Sequence, residues 1–172
     1  GQWSSLASIT RSIQDPAAKD VLMWLRAARD PNPPMDVLRY VTHNIANYPR
    51  MTGIRSKSEA RLFDTPLSAN ETLGWFATYE PVSGEGRAAL ARAHYELGNN
   101  DSGDMWLRLA WAESKLTRDR QKKVFGQYKN RLTKDDHAAR ADHLIWQGRA
   151  HFSKAEALLQ HMSKEDRAVM NA

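Results

Sequence analysis

The hydrophobic residues of this chain recur with the period of an α-helix along almost its whole length. Val21, Leu22, Leu25 and Ala28 fall at i, i+1, i+4 and i+7, and later stretches that begin at residues 38, 89, 124, 137 and 152 have similar spacing. Apolar residues at this spacing lie on one face of a helix. No segment alternates apolar and polar residues with β-branched enrichment, so strands are not expected. The predicted fold class is therefore all-α.

Start and stop signals interrupt this pattern at short intervals. Three pairs have the spacing of a capping box: Ser68 with Glu71, Thr133 with Asp136, and Ser163 with Asp166. Pro16 and Pro34 suit the first turn of a helix, where no amide hydrogen bond is lost. Proline, glycine and asparagine mark helix ends at residues 30–33, 48–49, 80–81, 98–100 and 148.

These signals predict short helices joined by connections of a few residues. The helices are expected near residues 3–13, 16–29, 34–47, 53–63, 69–79, 84–97, 102–115, 118–131, 134–147, 152–161 and 164–172. Short connections favour antiparallel neighbours, and a row of such hairpins is an α-solenoid. We therefore expect one domain over residues 1–172, an α-solenoid or superhelix of antiparallel helical hairpins that is tetratricopeptide-like.

The internal repeat is loose. Residues 88–98, AALARAHYELG, have the small-residue spacing and the final glycine of a tetratricopeptide first helix. Residues 141–155 echo this pattern about 50 residues later, whereas a tetratricopeptide repeat has about 34 residues. A regular array is therefore not predicted. The last predicted helix starts at a cap and has no stop signal before Ala172, as expected of a segment from a longer chain.

Composition restricts the class of protein. The chain has 172 residues, of which 41% are hydrophobic and 26% charged, as in a globular domain. Cysteine is absent, which excludes disulfides, thiolate metal sites and cysteine nucleophiles. No apolar run approaches the roughly 18 residues of a membrane span. Residues 1–5 lack the basic and apolar regions of a secretory signal.

Positive charge is concentrated in the second half of the chain. The net charge is +5, and the excess falls within residues 87–172. Residues 115–134 contain one acidic side chain, Asp119, and a basic cluster of Lys115, Arg118, Arg120, Lys122, Lys123, Lys129, Arg131 and Lys134. Such an excess favours an anionic partner, but a solvated helix face is the more frequent explanation. The candidate anion-binding residues are Lys115, Arg118, Lys122, Lys123 and Lys129.

The arrangement of these cations depends on Thr117. A helix continuous through Thr117 would place four cations close to one stripe: Lys115, Arg118, Lys122 and Lys129. A break near Thr117 is the favoured prediction, and it would divide that stripe. We expect weak, salt-sensitive attraction of anions, and not a site that reads nucleic-acid sequence.

The sequence predicts no metal, cofactor or catalytic site. His137 and His143 do not share a helical face, and we expect His137 to be a hydrogen-bonded core histidine. Residues 84–86 lack the third glycine and the preceding strand of a dinucleotide-binding loop. The acidic pairs at residues 135–136 and 165–166 lie at helix starts, where the helix dipole accounts for them.

Aromatic side chains are expected in the core. The tryptophans are Trp3, Trp24, Trp75, Trp106, Trp111 and Trp146. Packing between helices is the favoured interpretation, and stacking on sugar rings is the alternative. Trp106 and Trp111 are five positions apart and cannot share a face, so one of them should be partly exposed. Trp146 follows an apolar pair and is expected to be buried, so that its truncation would cost about 3–5 kcal/mol.

Several segments together resemble one enzyme family. They are Asp15-Pro16 with residues 21–26 (VLMWLR), Asn47-Tyr48-Pro49 with residues 58–62 (SEARL), residues 84–87 (GEGR) and residues 106–111 (WLRLAW). The most specific is residues 136–146, DHAARADHLIW, where members of the family read roughly Asp-His, then Arg and Asp, then Leu-Leu-Trp. By this ordered set the chain resembles the N-terminal, non-catalytic superhelical domain of the soluble lytic murein transglycosylases.

The resemblance implies a periplasmic parent enzyme that acts on peptidoglycan. Such enzymes cleave the bond between N-acetylmuramic acid and N-acetylglucosamine and leave a 1,6-anhydro ring. Other cell-wall proteins are further partners that the resemblance suggests. Their catalytic glutamate lies in a C-terminal lysozyme-like domain, in a Glu-Ser pair followed by a Gly-Leu-Met-Gln type stretch. Glu113-Ser114 supplies the pair without that stretch. We therefore interpret Glu113 as a surface residue at a helix end, and expect the segment to be inactive and without a cofactor.

Two other functions remain as alternatives. A tetratricopeptide-like scaffold would bind protein partners in its concave face. A nucleic-acid binder would use the basic cluster of residues 115–134, with phosphate contacts dominating its affinity. Nucleic acid is the less favoured partner.

Overall fold

The computed structural model describes residue 3, residues 8–10 and residues 12–170, and in these ranges it contains helices and no β-strand. The helices are α1 (Pro16–Arg29), α2 (Met35–Asn44), α3 (Met51–Asp64), α4 (Ala69–Trp75), α5 (Gly84–Glu96), α6 (Asn100–Ala112), α7 (Arg118–Tyr128), α8 (Lys134–Trp146), α9 (Phe152–Glu156) and α10 (Lys164–Met170). Two 3₁₀ turns, Arg149–His151 and Leu159–His161, flank α9. The all-α prediction is confirmed. Of the predicted helix 3–13, residues 3, 8–10 and 12 are helical and residue 13 is not, and the other positions lie outside the described residues.

Local capping fixes where these helices begin. Pro16 occupies the first turn of α1, as predicted. Ser68 and Thr133 each accept a hydrogen bond from the third amide of their helix, and Glu71 and Asp136 bond back to the cap amides, so both capping boxes are formed. These short-range hydrogen bonds explain why the starts of α4 and α8 match the predictions to the residue.

The core consists of three clusters that follow one another along the chain. The first lies in α1 to α3 and contains Ala27, Val37, Leu38, Val41, Ile45, Met51 and Ile54. The second connects α3, α4 and α5 through Leu62, Trp75, Phe76, Ala89 and Leu90. The third extends from Phe63 to Met162 and includes Leu107, Trp111, Val124 and Leu144. Met35 packs against the first two clusters, and Trp106 against the second and third.

Helices α5 and α6 form an antiparallel hairpin. Near the start of α5, Arg87 Nη1 donates to the carbonyl oxygen of Leu109, late in α6, at 3.2 Å. Near the end of α5, Tyr95 Oη donates to Asp104 Oδ1, early in α6, at 2.7 Å. Gly103 lies against the Tyr95 ring so closely that a Cβ atom would overlap it. The glycine therefore sets the short distance between the two helices.

A buried carboxylate joins α3 to the start of α5. Glu59 is fully buried and accepts hydrogen bonds from the amides of Val82, at 2.9 Å, and Ser83, at 2.7 Å, and from the Ser83 hydroxyl. Gly86 lies so close to the carboxylate that a Cβ atom there would overlap it. Burial raises the pKa of Glu59, although the hydrogen bonds from Ser83 and Val82 oppose this. The negative charge also lies at the positive end of the α5 dipole.

Two predictions about individual side chains are wrong. Trp146 is 83% exposed and does not lie in the core, because Leu144 faces the core and Trp146, two positions later, is turned roughly 200° around the helix. His137 is buried as predicted, but in the described part of the chain its Nδ1 has no hydrogen-bond partner. Its ring instead packs edge-on against Trp111, with 5.5 Å between centroids. Trp111 is buried and Trp106 partly exposed, as predicted.

Candidate functional site

The structure divides the predicted basic surface into separate parts. Helix α6 ends at Ala112 and Thr117 caps a new helix, so the predicted break is confirmed and Lys115 is separated from α7. Arg118 and Lys122 lie on one face of α7 and line a cleft. Lys129 follows the end of α7, is exposed, and lies outside that cleft.

On another side of α7, positive charge is paired. Arg120 donates to both carboxylate oxygens of Asp64 and lies 3.4 Å from Glu85. Lys123 Nζ donates to Asp64 at 3.0 Å. The hydrogen bond from Arg120, with a further one from Lys123, lowers the pKa of Asp64 to about 2 although partial burial opposes the shift. Lys123 therefore helps to hold α7 against α3, and the charges of Arg120 and Lys123 are balanced by two nearby carboxylates.

Replacing Asp64 by asparagine tests these ion pairs, through the pH dependence of the change in stability. The ordinary pKa of the carboxyl is 3.8 and its folded pKa is about 2, so its contribution to stability is present above pH 3.8 and is lost as pH falls through about 2. At neutral pH we expect a loss of about 1 kcal/mol or less, because the pair is partly exposed. Urea unfolding at pH 7, 5, 4 and 3 should show the difference between variant and wild type shrinking toward low pH. A difference independent of pH would contradict the pairing.

An open cleft of about 570 Å³ lies between α7 and the segment of residues 153–161. Helix α7 supplies Arg118, Gln121, Lys122 and Phe125, which share a face at i, i+3, i+4 and i+7. The other lining residues are Trp111, Ser153, Lys154, Ala157, Leu158, Gln160 and His161. No acidic side chain lines this cleft in the described residues, whereas it has three cations, Arg118, Lys122 and Lys154. We call it the α7 cleft.

Four rings lie in contact at the α7 cleft. Trp111 and Phe125 have centroids 5.9 Å apart, and Phe125 and His161 5.0 Å. His137 packs behind them, 5.0 Å from His161 and 5.5 Å from Trp111. Burial, with a smaller contribution from His161, lowers the pKa of His137. His137 is therefore neutral at pH 7 and supports the other rings as part of an apolar floor.

The α7 cleft is suited to a ligand that has both an anionic group and a ring or other apolar surface. Arginine and lysine attract carboxylates and phosphates, and an arginine can donate to both oxygens of one group. Phe125 and His161 are partly exposed and offer faces for stacking. Glu113, the residue of the incomplete catalytic pair, is exposed at the end of α6, as predicted.

Sequence reasoning found only part of this cleft. Arg118 and Lys122 were identified by charge, but Lys154 and His161 were not. Residues 152–161 were predicted as one helix, whereas α9 ends at Glu156 and a 3₁₀ turn follows at Leu159–His161. The change in helical phase places Leu158 in the core and His161 at the cleft. No local signal in the sequence marks that change.

Comparison with known proteins gives no match: no protein-family model, no curated protein and no solved structure is similar to the chain. The resemblance to murein transglycosylases therefore rests on the sequence segments alone.

Proposed function

We propose that this chain is a non-catalytic helical scaffold that binds peptidoglycan, as the superhelical segment of a periplasmic lytic murein transglycosylase. The observation that carries the proposal is the α7 cleft, with three cations at its walls, an aromatic floor and no acidic lining residue in the described part of the chain. Peptidoglycan combines the two features that such a cleft favours, carboxylates on its peptide stems and pyranose rings in its glycan.

An α-solenoid is the arrangement that we propose for the scaffold. Its support is the succession of three core clusters along the chain and the antiparallel hairpin of α5 and α6. In a solenoid each hairpin buries its apolar face against its neighbours, and the surface between them is available for extended ligands. The loose sequence repeat agrees with tetratricopeptide-like packing that lacks a fixed period.

Retention of the chain on purified murein sacculi tests the binding proposal. We expect retention at low salt that declines toward physiological salt, because exposed charges are screened beyond about 8 Å there. Lys122→Glu should weaken retention about fivefold, which corresponds to roughly 1 kcal/mol for one reversed contact. Lys129→Glu is the matched control, since it changes the net charge equally but lies outside the α7 cleft.

The control decides between a site and a merely basic surface. Equal weakening by Lys122→Glu and Lys129→Glu would show that only net charge matters, and the proposed site would be wrong. Tighter binding to a random DNA duplex than to sacculi at physiological salt would favour the nucleic-acid alternative. Phe125→Ala, which removes a ring from the floor, should weaken retention at all salt concentrations, because stacking is not screened.

The parent enzyme has a separate test. The reading frame that contains this chain is expected to encode a lysozyme-like domain on the C-terminal side, with a Glu-Ser pair followed by a Gly-Leu-Met-Gln type stretch. A different kind of domain there would overturn the transglycosylase part of the proposal. Binding of sacculi by the present chain would then favour another cell-wall role, and its absence would favour the protein-binding scaffold.

A further inference from the structure

A buried arginine in α8 has no anionic partner in the described residues. Arg140 is 1% exposed, and its Nη1 donates to the carbonyl oxygen of Ser114 at 2.6 Å. Its Nη2 donates to Gln121 Oε1 at 3.1 Å, and its Nε is buried without a partner. Both acceptors are neutral. Burying a charge is costly, and a buried guanidinium is usually paired with a carboxylate or another anion.

Arg140 lines a second open cleft, of about 440 Å³. The lining residues are Lys115, Leu116, Arg140, Leu144, Gln147 and His151. His151 has an Nδ1 that is shielded from solvent and unpartnered in the described part of the chain. Lys115 is exposed and lies within salt-bridge distance of no described carboxylate. The cleft therefore brings together three side chains that can carry positive charge, and none of its lining residues in the described part of the chain is acidic.

The acidic side chains in this region do not neutralise the cleft. Glu113 and Asp142 act on the neighbouring His143, where burial and the charge of Arg140 lower the pKa and the two carboxylates oppose that shift. Neither carboxylate lies within 4.0 Å of a nitrogen of Lys115 or Arg140. The pKa of Arg140 is lowered to about 10 by burial alone, so the guanidinium still carries its charge at neutral pH.

We infer that this second cleft is a binding site for a compact oxyanion, a carboxylate or a phosphate group, held between Arg140, Lys115 and His151. Arg140 supplies a fixed, already desolvated charge, because Ser114 and Gln121 hold the plane of its guanidinium. The exposed Lys115 has a long, flexible side chain that can reach an anion in the cleft, and His151 adds an N–H donor. This cleft is distinct from the α7 cleft, although Gln121 and Trp111 of the α7 cleft also contact Arg140, and the inference does not rest on the proposed murein role.

Calorimetric titration of the whole chain tests this site, with inorganic phosphate and with acetate at matched ionic strength. We expect at least one of the two to bind the wild type, and the one that binds more tightly identifies the group. Lys115→Glu should raise its Kd at least about tenfold, or roughly 1.4 kcal/mol. Lys129→Glu, which makes the same change in net charge elsewhere, should change the Kd less than about twofold.

Variants of the other two side chains extend the test. His151→Ala should raise the Kd with little change in melting temperature, because His151 makes no described side-chain hydrogen bond. Arg140→Gln should abolish binding, and circular dichroism of this variant shows whether it folds. If it does not fold, the titration of Lys115→Glu tests the site, because Lys115 is exposed. The inference is overturned if neither anion binds the wild type, or if Lys129→Glu weakens binding as much as Lys115→Glu.

Discussion

Replacing Glu59 by alanine is expected to lower the free energy of unfolding by about 2–5 kcal/mol, because the backbone amides of Val82 and Ser83, whose hydrogen bonds are partly buried, would lose their acceptor. Each buried donor left unpaired costs about 1–3 kcal/mol. The loss is a large share of a domain stability of about 5–15 kcal/mol. Urea unfolding followed by circular dichroism measures it. A variant as stable as the wild type would show that this joint between α3 and α5 contributes little.

Two glycines provide a matched pair of variants that test the same contact between α3 and the start of α5. Gly86 and Gly53 are each the third residue of their helix, α5 and α3. A Cβ atom at Gly86 would overlap the Glu59 carboxylate, whereas one at Gly53 would meet nothing within 4 Å. Gly86→Ala should therefore destabilise by about 1–3 kcal/mol through overpacking. Gly53→Ala should stabilise by about 0.4–1 kcal/mol, because alanine has less freedom in the unfolded chain. Equal effects would contradict the close contact at Gly86.

Truncation of Trp111 to alanine is the other change with a large expected effect. Trp111 is 1% exposed and packs against Phe125, His137 and the guanidinium of Arg140. Removing so large a buried side chain typically costs about 3–5 kcal/mol. Because Trp111 also lines the α7 cleft, retention on sacculi should be weaker than that of the wild type when equal amounts of folded protein are compared.

Trp146 is the control for this experiment. It is the same residue type, but its side chain is 83% exposed, so Trp146→Ala should change stability by no more than about 0.5 kcal/mol. Chemical unfolding of both variants under one condition separates the two cases. A destabilisation by Trp146→Ala that approached that of Trp111→Ala would mean that Trp146 is covered in solution.

Prediction from sequence succeeded where the information is local. The bounds of α1 agree with the predicted residues 16–29, since Pro16 begins the helix and the residues from Asp30 onward end it. The capping boxes and the break at Thr117 were read from a few neighbouring residues, because cap hydrogen bonds join positions two or three apart. Helix type and position follow from such contacts and from the apolar period.

Prediction failed where a residue's environment depends on distant parts of the chain. Glu59 looks like an ordinary helix-surface residue, yet it is buried by a loop more than 20 positions later. Trp146 was expected in the core because it follows an apolar pair, although its helical phase relative to Leu144 excludes it. Lys154 and Arg140 acquire their roles only when α8 and the C-terminal helices meet α6 and α7. Charge alone therefore identified two of the three cations of the α7 cleft, Arg118 and Lys122.

Division of the core into three consecutive clusters allows parts of the molecule to open at different free energies. The first cluster, in α1 to α3, has seven buried residues against fifteen in the third, and it meets the second cluster through Met35. Amide hydrogen exchange is therefore expected to be faster in α1 and α2 than in α6 and α8. A ligand held in the α7 cleft would slow amide exchange in the third cluster first. Because Trp106 packs against both the third and the second cluster, exchange in the second cluster should slow next.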